Sequence, residues 1–236
     1  MDLWAIGHAL SVWLLPVIMA ITLHEAAHGW VAHRLGDDTA HRLGRVSANP
    51  IRHIDPVGTL LLPGLLLLLS PIVFGWAKPV PVAYQRLRHP KRDMALVAAA
   101  GPACNFALAL ICAWALVPVT FVGGELQAWL VQNFVNAILI NLVLGIFNLF
   151  PLPPLDGGRI AVGLLPMPLA AYWARLERFG LVILLVLLFV VPLVARELGA
   201  DFSPVAAFVF GILQPAVMLL GALSPWTGAQ LLAAML

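Results

Sequence analysis

Charge is what this sequence has least of. Its 236 residues include 13 Lys or Arg and 11 Asp or Glu, so 10% are charged while 62% are hydrophobic. A soluble domain carries about 25% charged residues. Most of this surface therefore faces something other than water, and a lipid bilayer is the expected surrounding. Mean hydropathy is +0.98. The formal net charge of +2 gives no clustered basic face, so no nucleic-acid partner is expected. Cysteine is scarce too. Cys104 and Cys112 share one apolar run and stand more than two helical turns apart, which excludes an easy disulfide. No Ser/Gly linker, charge block or internal repeat divides the chain, so one domain over 1–236 is expected. The opening Met1-Asp2-Leu3-Trp4 lacks a basic n-region and a small-residue cleavage site, and is expected to start the mature chain.

Long apolar stretches are what the sequence does have. They run from about Trp4 to Leu35, Val57 to Phe74, Met94 to Phe121, Trp129 to Phe150, Phe179 to Val194 and Pro204 to Leu223. A spanning helix needs about 20 apolar residues. The second stretch is broken by Pro63-Gly64 and leads into Gly75-Trp76-Ala77-Lys78-Pro79-Val80-Pro81-Val82. Prolines at alternating positions suit an extended edge, not a helix. The expected fold is an all-α integral membrane protein. It has about five to six transmembrane helices and a re-entrant helix or extended hairpin near residues 57–82. An exposed edge there, at Val80 and Val82, would suit strand pairing with an unwound substrate.

Charge placement orients the chain. Arg34, Arg42, Arg45 and Arg52 follow the first stretch. Arg86, Arg88, Lys91 and Arg92 precede the third, and Arg159, Arg175 and Arg178 follow the fourth. The connection between the third and fourth carries only Glu125. The positive-inside rule puts the basic segments in the cytoplasm. The N-terminus then lies outside, the C-terminus inside, and Arg196 is a single exception.

The chemistry lies in His24-Glu25-Ala26-Ala27-His28. Four-residue spacing puts both imidazoles on one helical face, where they can share one tetrahedral zinc. Glu25, beside the first ligand, suits proton transfer from a water activated by the metal. This motif also arises by chance on solvated helices. Here it is embedded between Ile18-Met19-Ala20-Ile21-Thr22-Leu23 and Trp30-Val31-Ala32, and ionisable groups at membrane depth mark functional sites. A third ligand is expected in Asp156, a lone carboxylate where Pro151-Leu152-Pro153-Pro154 ends an apolar helix and Gly157-Gly158 frees the backbone. Its structural alternative is a helix cap or a partner for Arg159. His33, His41 and His89 suit an interface or surface, and His53 and Asp55 a braced turn.

With these residues in place, the chain resembles the site-2 protease family of intramembrane zinc metalloproteases, in a compact bacterial form without PDZ or CBS modules. The resemblance covers about residues 20–160, with the C-terminal helices at about 179–223 beyond it. It implies that His24, His28 and Asp156 bind one Zn2+ per chain and that Glu25 is catalytic. Asn148, eight residues before Asp156, and Asn105, in Gly101-Pro102-Ala103-Cys104-Asn105, match asparagines associated with substrate or oxyanion contacts. His53-Ile54-Asp55-Pro56-Val57-Gly58-Thr59 and the Pro-rich segment match the bacterial subgroup. Ala83 stands where an Asn is expected after Pro-Val-Pro-Val, which removes any side-chain contact from that position. The implied activity is cleavage in or near a transmembrane helix of a membrane-protein substrate, in a prokaryotic cell membrane, with the site toward the cytoplasm.

Overall fold

A computed structural model describes residues 3–61 and 77–235. Among them there is no strand, and five helices are long and apolar enough to cross a membrane. These are α1 (Leu3–Arg34), α3 (Pro90–Val119), α4 (Gly124–Asn148), α7 (Glu177–Glu197) and α8 (Pro204–Leu223). Shorter elements are α2 (Thr39–Arg42), α5 (Asp156–Leu164), α6 (Met167–Arg175) and α9 (Gly228–Met235). The first, third, fourth and sixth apolar stretches appear as helices with ends shifted by a few residues. The fifth, Phe179 to Val194, is α7, with a π-helical stretch at Val186–Val190. The α9 helix was not anticipated: its eight residues carry no charge and follow a Ser-Pro-Trp break.

Of the excursion expected over 57–82, residues 62–76 lie outside the described residues. Its described flanks are a π-helical turn at Pro56–Leu61 and residues 77–83 without regular secondary structure. Pro79 and Pro81 have no N–H for a ladder. The other polar groups of this segment are taken up mainly by side chains, as described below.

The spanning helices are apolar around their circumference, as expected where lipid replaces water outside. Leu14, Ile111, Trp114 and Phe210 are exposed on them. The core forms where small residues let helices approach. Ala109 and Ala113 of α3 pack with Ile138 and Leu142 of α4, Val217 and Leu220 of α8, and Leu231 of α9. A second cluster joins Ile146, Leu152 and Leu155 to Leu184 of α7 and to Val205 and Val209 of α8. The α9 helix folds back against α8 and α4, fixed where the Trp226 indole donates to Ala113 O at 2.8 Å.

Helix α1 places the histidine motif. Its 32 residues run for about 48 Å, and His24 lies about 32 Å from its start. The motif is thus near the end that leads into the basic connections. There the Arg88 amide donates to Leu35 O at 3.1 Å, which holds the approach to α3 against the end of α1.

Candidate metal centre

His24 and His28 point the same way from α1, with rings edge-on, centroids 4.7 Å apart and Nε2 atoms 3.1 Å apart. They are 4% and 9% exposed. Asp156 arrives from the first turn of α5 and is also buried. Its Oδ2 lies 3.2 Å from His24 Nε2 and 3.3 Å from His28 Nε2.

Glycines make this approach possible. A Cβ on Gly101 would sit 2.4 Å from His28 Nε2 and 2.5 Å from the His24 ring, so only glycine lets α3 pass this close to both converging Nε2 atoms. A Cβ on Gly157 would lie 2.1 Å from Leu149 O, and one on Gly158 2.1 Å from Pro153 N. The chain thus doubles back tightly after α4, and Asp156 is carried inward.

The other ring nitrogens fix the protons. Asn105 directs Nδ2 to Asn141 Oδ1 at 2.8 Å and to Ala20 O at 3.3 Å, so its Oδ1 is the atom facing His24 Nδ1 at 2.6 Å. Asn141 in turn donates to Ala137 O. His28 Nδ1 donates to Val97 O at 2.7 Å. Both Nδ1 atoms therefore carry hydrogen, and in the neutral rings both Nε2 atoms present lone pairs. A carboxylate oxygen, itself without a hydrogen-bond donor, completes the triangle. Three lone pairs this close repel unless a cation lies among them.

The set fits zinc. Two imidazole nitrogens and one carboxylate oxygen are zinc ligands, and bonds of about 2.0–2.1 Å give tetrahedral edges of about 3.3–3.4 Å. The observed edges of 3.1, 3.2 and 3.3 Å match that frame. Nδ1–H bonds to Asn105 and Val97 are the outer partners that orient ligating histidines. Among the described residues this is the one group of three or more such side chains able to hold a metal.

A cavity of about 400 Å³ opens onto these atoms. Glu25, Val80, Val82, Tyr84, Asn148 and Arg159 contribute to its lining. Glu25 Oε2 accepts from the Val80 amide at 2.8 Å. Asn148 donates to Leu144 O at 3.0 Å while facing the cavity. Arg159 bonds Glu177 Oε1 at 2.8 Å, tying α5 to the start of α7. Burial pushes the Tyr84 phenol above its usual value, against an opposing pull from Arg159, so it remains a neutral hydroxyl.

The sequence-derived residues therefore divide. His24, Glu25, His28, Asp156, Asn148, Val80 and Val82 meet in one cavity. Asn105 does not reach it: it is 0% exposed and sits behind His24. From the sequence Asn141 reads only as a packing or interface residue and Arg45 only as a cytoplasmic charge, and Val97 is not singled out. The signal for Asn141 was a polar residue in an apolar run. Val97 acts through its backbone carbonyl and leaves no sequence signal.

The model of peptidase family M50 matches residues 117–191, the region that contains Asp156 but not the histidine motif. YwhC of Bacillus subtilis (strain 168), named as a candidate zinc metalloprotease, is 43% identical over 184 residues, 76% of this chain and 80% of YwhC. Rip2 of Mycolicibacterium smegmatis, named likewise, is 30% identical over 200 residues, 81% of this chain and 74% of Rip2. Rip3 of Mycobacterium tuberculosis (strain ATCC 25618 / H37Rv) is 32% identical over 157 residues, 66% of this chain and 31% of Rip3. No solved structure matches the chain.

Proposed function

The chain belongs to peptidase family M50, the site-2 protease family of zinc metalloproteases, and on that premise we propose that it is an intramembrane endopeptidase. Its substrates are membrane proteins, cut in or near a transmembrane helix, and its setting is a prokaryotic membrane. One observation carries the reading: three lone-pair donors converge beside Glu25, in a cavity among helices long enough to cross a bilayer. The catalytic core over about 20–160 and the C-terminal helices then act as one unit.

His24, His28 and Asp156 would hold one zinc ion per chain. Bound there, zinc supplies a Lewis acid and makes water nucleophilic at neutral pH. Glu25 takes the proton that leaves water as its oxygen joins the scissile carbonyl carbon. It then delivers that proton to the amide nitrogen as the C–N bond breaks. Its Oε2 is held by the Val80 amide, which leaves Oε1 to carry the proton. Asn105 and Val97 keep both Nε2 lone pairs directed inward. Asn148 has one amide hydrogen on Leu144 O and a second for a substrate carbonyl. An unwound substrate can pair along residues 80–82; the Val80 amide is occupied, so the pairing falls to Val82. The basic connections at the motif end of α1 support a site that faces the cytoplasm.

The test is cleavage of a reconstituted transmembrane substrate by wild type, Glu25→Gln and Val82→Pro, with zinc quantified in each. Glu25→Gln is expected to retain zinc and lose at least about 100-fold in rate. Val82→Pro is expected to retain zinc and cleave slowly. Equal cleavage by wild type and Glu25→Gln sinks the protease assignment of that residue, and normal cleavage by Val82→Pro rejects strand pairing there.

A further inference from the structure

Residues 77–83 form one wall of the cavity without the support of regular secondary structure. Side chains from the connection after α1 supply it instead. Arg45 Nη2 donates to Lys78 O at 2.6 Å and reaches Pro79 O at 3.4 Å. Asp37 Oδ2 accepts from the Ala83 amide at 2.6 Å. The Lys78 amide donates to His53 O at 2.9 Å. Between these anchors, the Val80 amide points at Glu25 Oε2. The depth of the segment is set by Gly29, one turn beyond Glu25, where a Cβ would meet Val80 Cγ1 at 3.1 Å.

Arg45 is unlike its neighbours. Arg42 and Arg86 are well exposed and pair with Asp38. Arg45 is 8% exposed, and among the described residues no carboxylate lies within ion-pair distance of it. Its Nε is buried without a partner. A buried guanidinium without a counter-charge is destabilising, and an aliphatic side chain of similar volume would fill the space more favourably. What the guanidinium adds is a donor group that spans two successive carbonyls.

We propose that Arg45 is a positioning residue for Glu25, acting through the backbone of residues 78–80, while Asp37 fixes the far end of the same segment at Ala83. Arg45 sets where the Val80 amide lies, and that amide sets where the Glu25 carboxylate lies. This rests on the reading of Glu25 as the proton carrier, but the backbone link is measurable without cleavage.

The experiment compares wild type, Arg45→Met and Arg45→Lys in detergent, reading zinc content, thermal stability, hydrogen exchange at residues 78–83, and kcat and KM on a transmembrane substrate. Arg45→Met keeps the apolar stem and is expected to be as stable as wild type or more so, with unchanged zinc. Its 78–83 amides should exchange at least about tenfold faster, and kcat should fall about 10- to 100-fold with KM changed less than about twofold. Arg45→Lys, which keeps a single cationic donor group, should recover part of both losses. Packing alone predicts the reverse order, with Met closer to wild type than Lys, and that order overturns the proposal. So do wild-type exchange and kcat in Arg45→Met, and so does unfolding of Arg45→Met alone, which would make the charge a requirement of the fold. If wild type cleaves nothing, the protease reading fails, while the exchange measurement still decides the clamp.

Discussion

At the scale of the residue, the site depends on which atoms are absent as much as on which are present. Gly101 contributes no side chain, and a methyl group there would occupy the space beside both Nε2 atoms. Gly101→Ala is expected to leave folding intact, because the atoms its methyl meets are the ends of two side chains that can turn aside, and alanine favours helix by about 1 kcal/mol over glycine. It should nevertheless abolish stoichiometric zinc, as read by metal analysis of the purified protein. Retained zinc would mean that the imidazoles do not converge as described. Asn105 separates two roles that the sequence left together. It matches an asparagine associated with substrate, yet its amide is wholly engaged by His24, Ala20 and Asn141. Asn105→Leu is therefore expected to weaken zinc affinity about 10- to 100-fold, measured by competition with a chelator, with little change in KM once zinc is saturating. A change in KM alone would return Asn105 to substrate binding.

At the scale of the element, a stable wall is built from an irregular segment by anchoring its two ends. The Asp37 anchor has a definite pH dependence. Burial opposes its ionisation, but donation from the Thr39 hydroxyl and amide and the Ala83 amide, with Arg86 nearby, outweighs burial and holds its carboxyl below the usual range. A lowered folded pKa contributes stability above the unfolded value of about 3.9, and that contribution is lost as pH falls through the folded value. The Ala83 amide should therefore keep its protection until the pH drops below about 4, once intrinsic exchange is corrected for. Asp37→Asn should show faster exchange already at neutral pH and no acid step. An identical acid step in that variant would place the titrating group elsewhere. The break between α4 and α5 follows the same economy of local devices: prolines stop one helix, and two glycines allow a turn too tight for any Cβ.

At the scale of the whole molecule, the bundle sorts charge to its ends. The Arg88–Leu35 backbone bond gathers the basic connections beside the motif end of α1, while the short α3–α4 turn carries no Lys or Arg. This arrangement predicts sidedness. In a background with Cys104 and Cys112 replaced by serine, Glu125→Cys should react with a membrane-impermeant maleimide in intact cells. Arg52→Cys should react only after permeabilisation. The opposite pattern would put the metal centre at the outer face.

What backbone periodicity controls was legible before any folding was considered. Helical spacing places His24 and His28 on one face wherever that helix lies, and run length sets which segments can span. Pro-Pro and Gly-Gly mark the break before Asp156, so the third ligand was legible as a lone carboxylate at a helix end. The tertiary structure decided what depends on the rotation of one helix against another. It brought Asp156 to within 3.3 Å of residues 132 and 128 positions earlier. It also turned Asn105 behind His24, and buried Arg45 among carbonyls where the sequence read one more cytoplasmic arginine. The reason is physical: helical period is local to a segment, whereas the partner of a buried polar side chain is chosen by the packing of segments far apart in the chain.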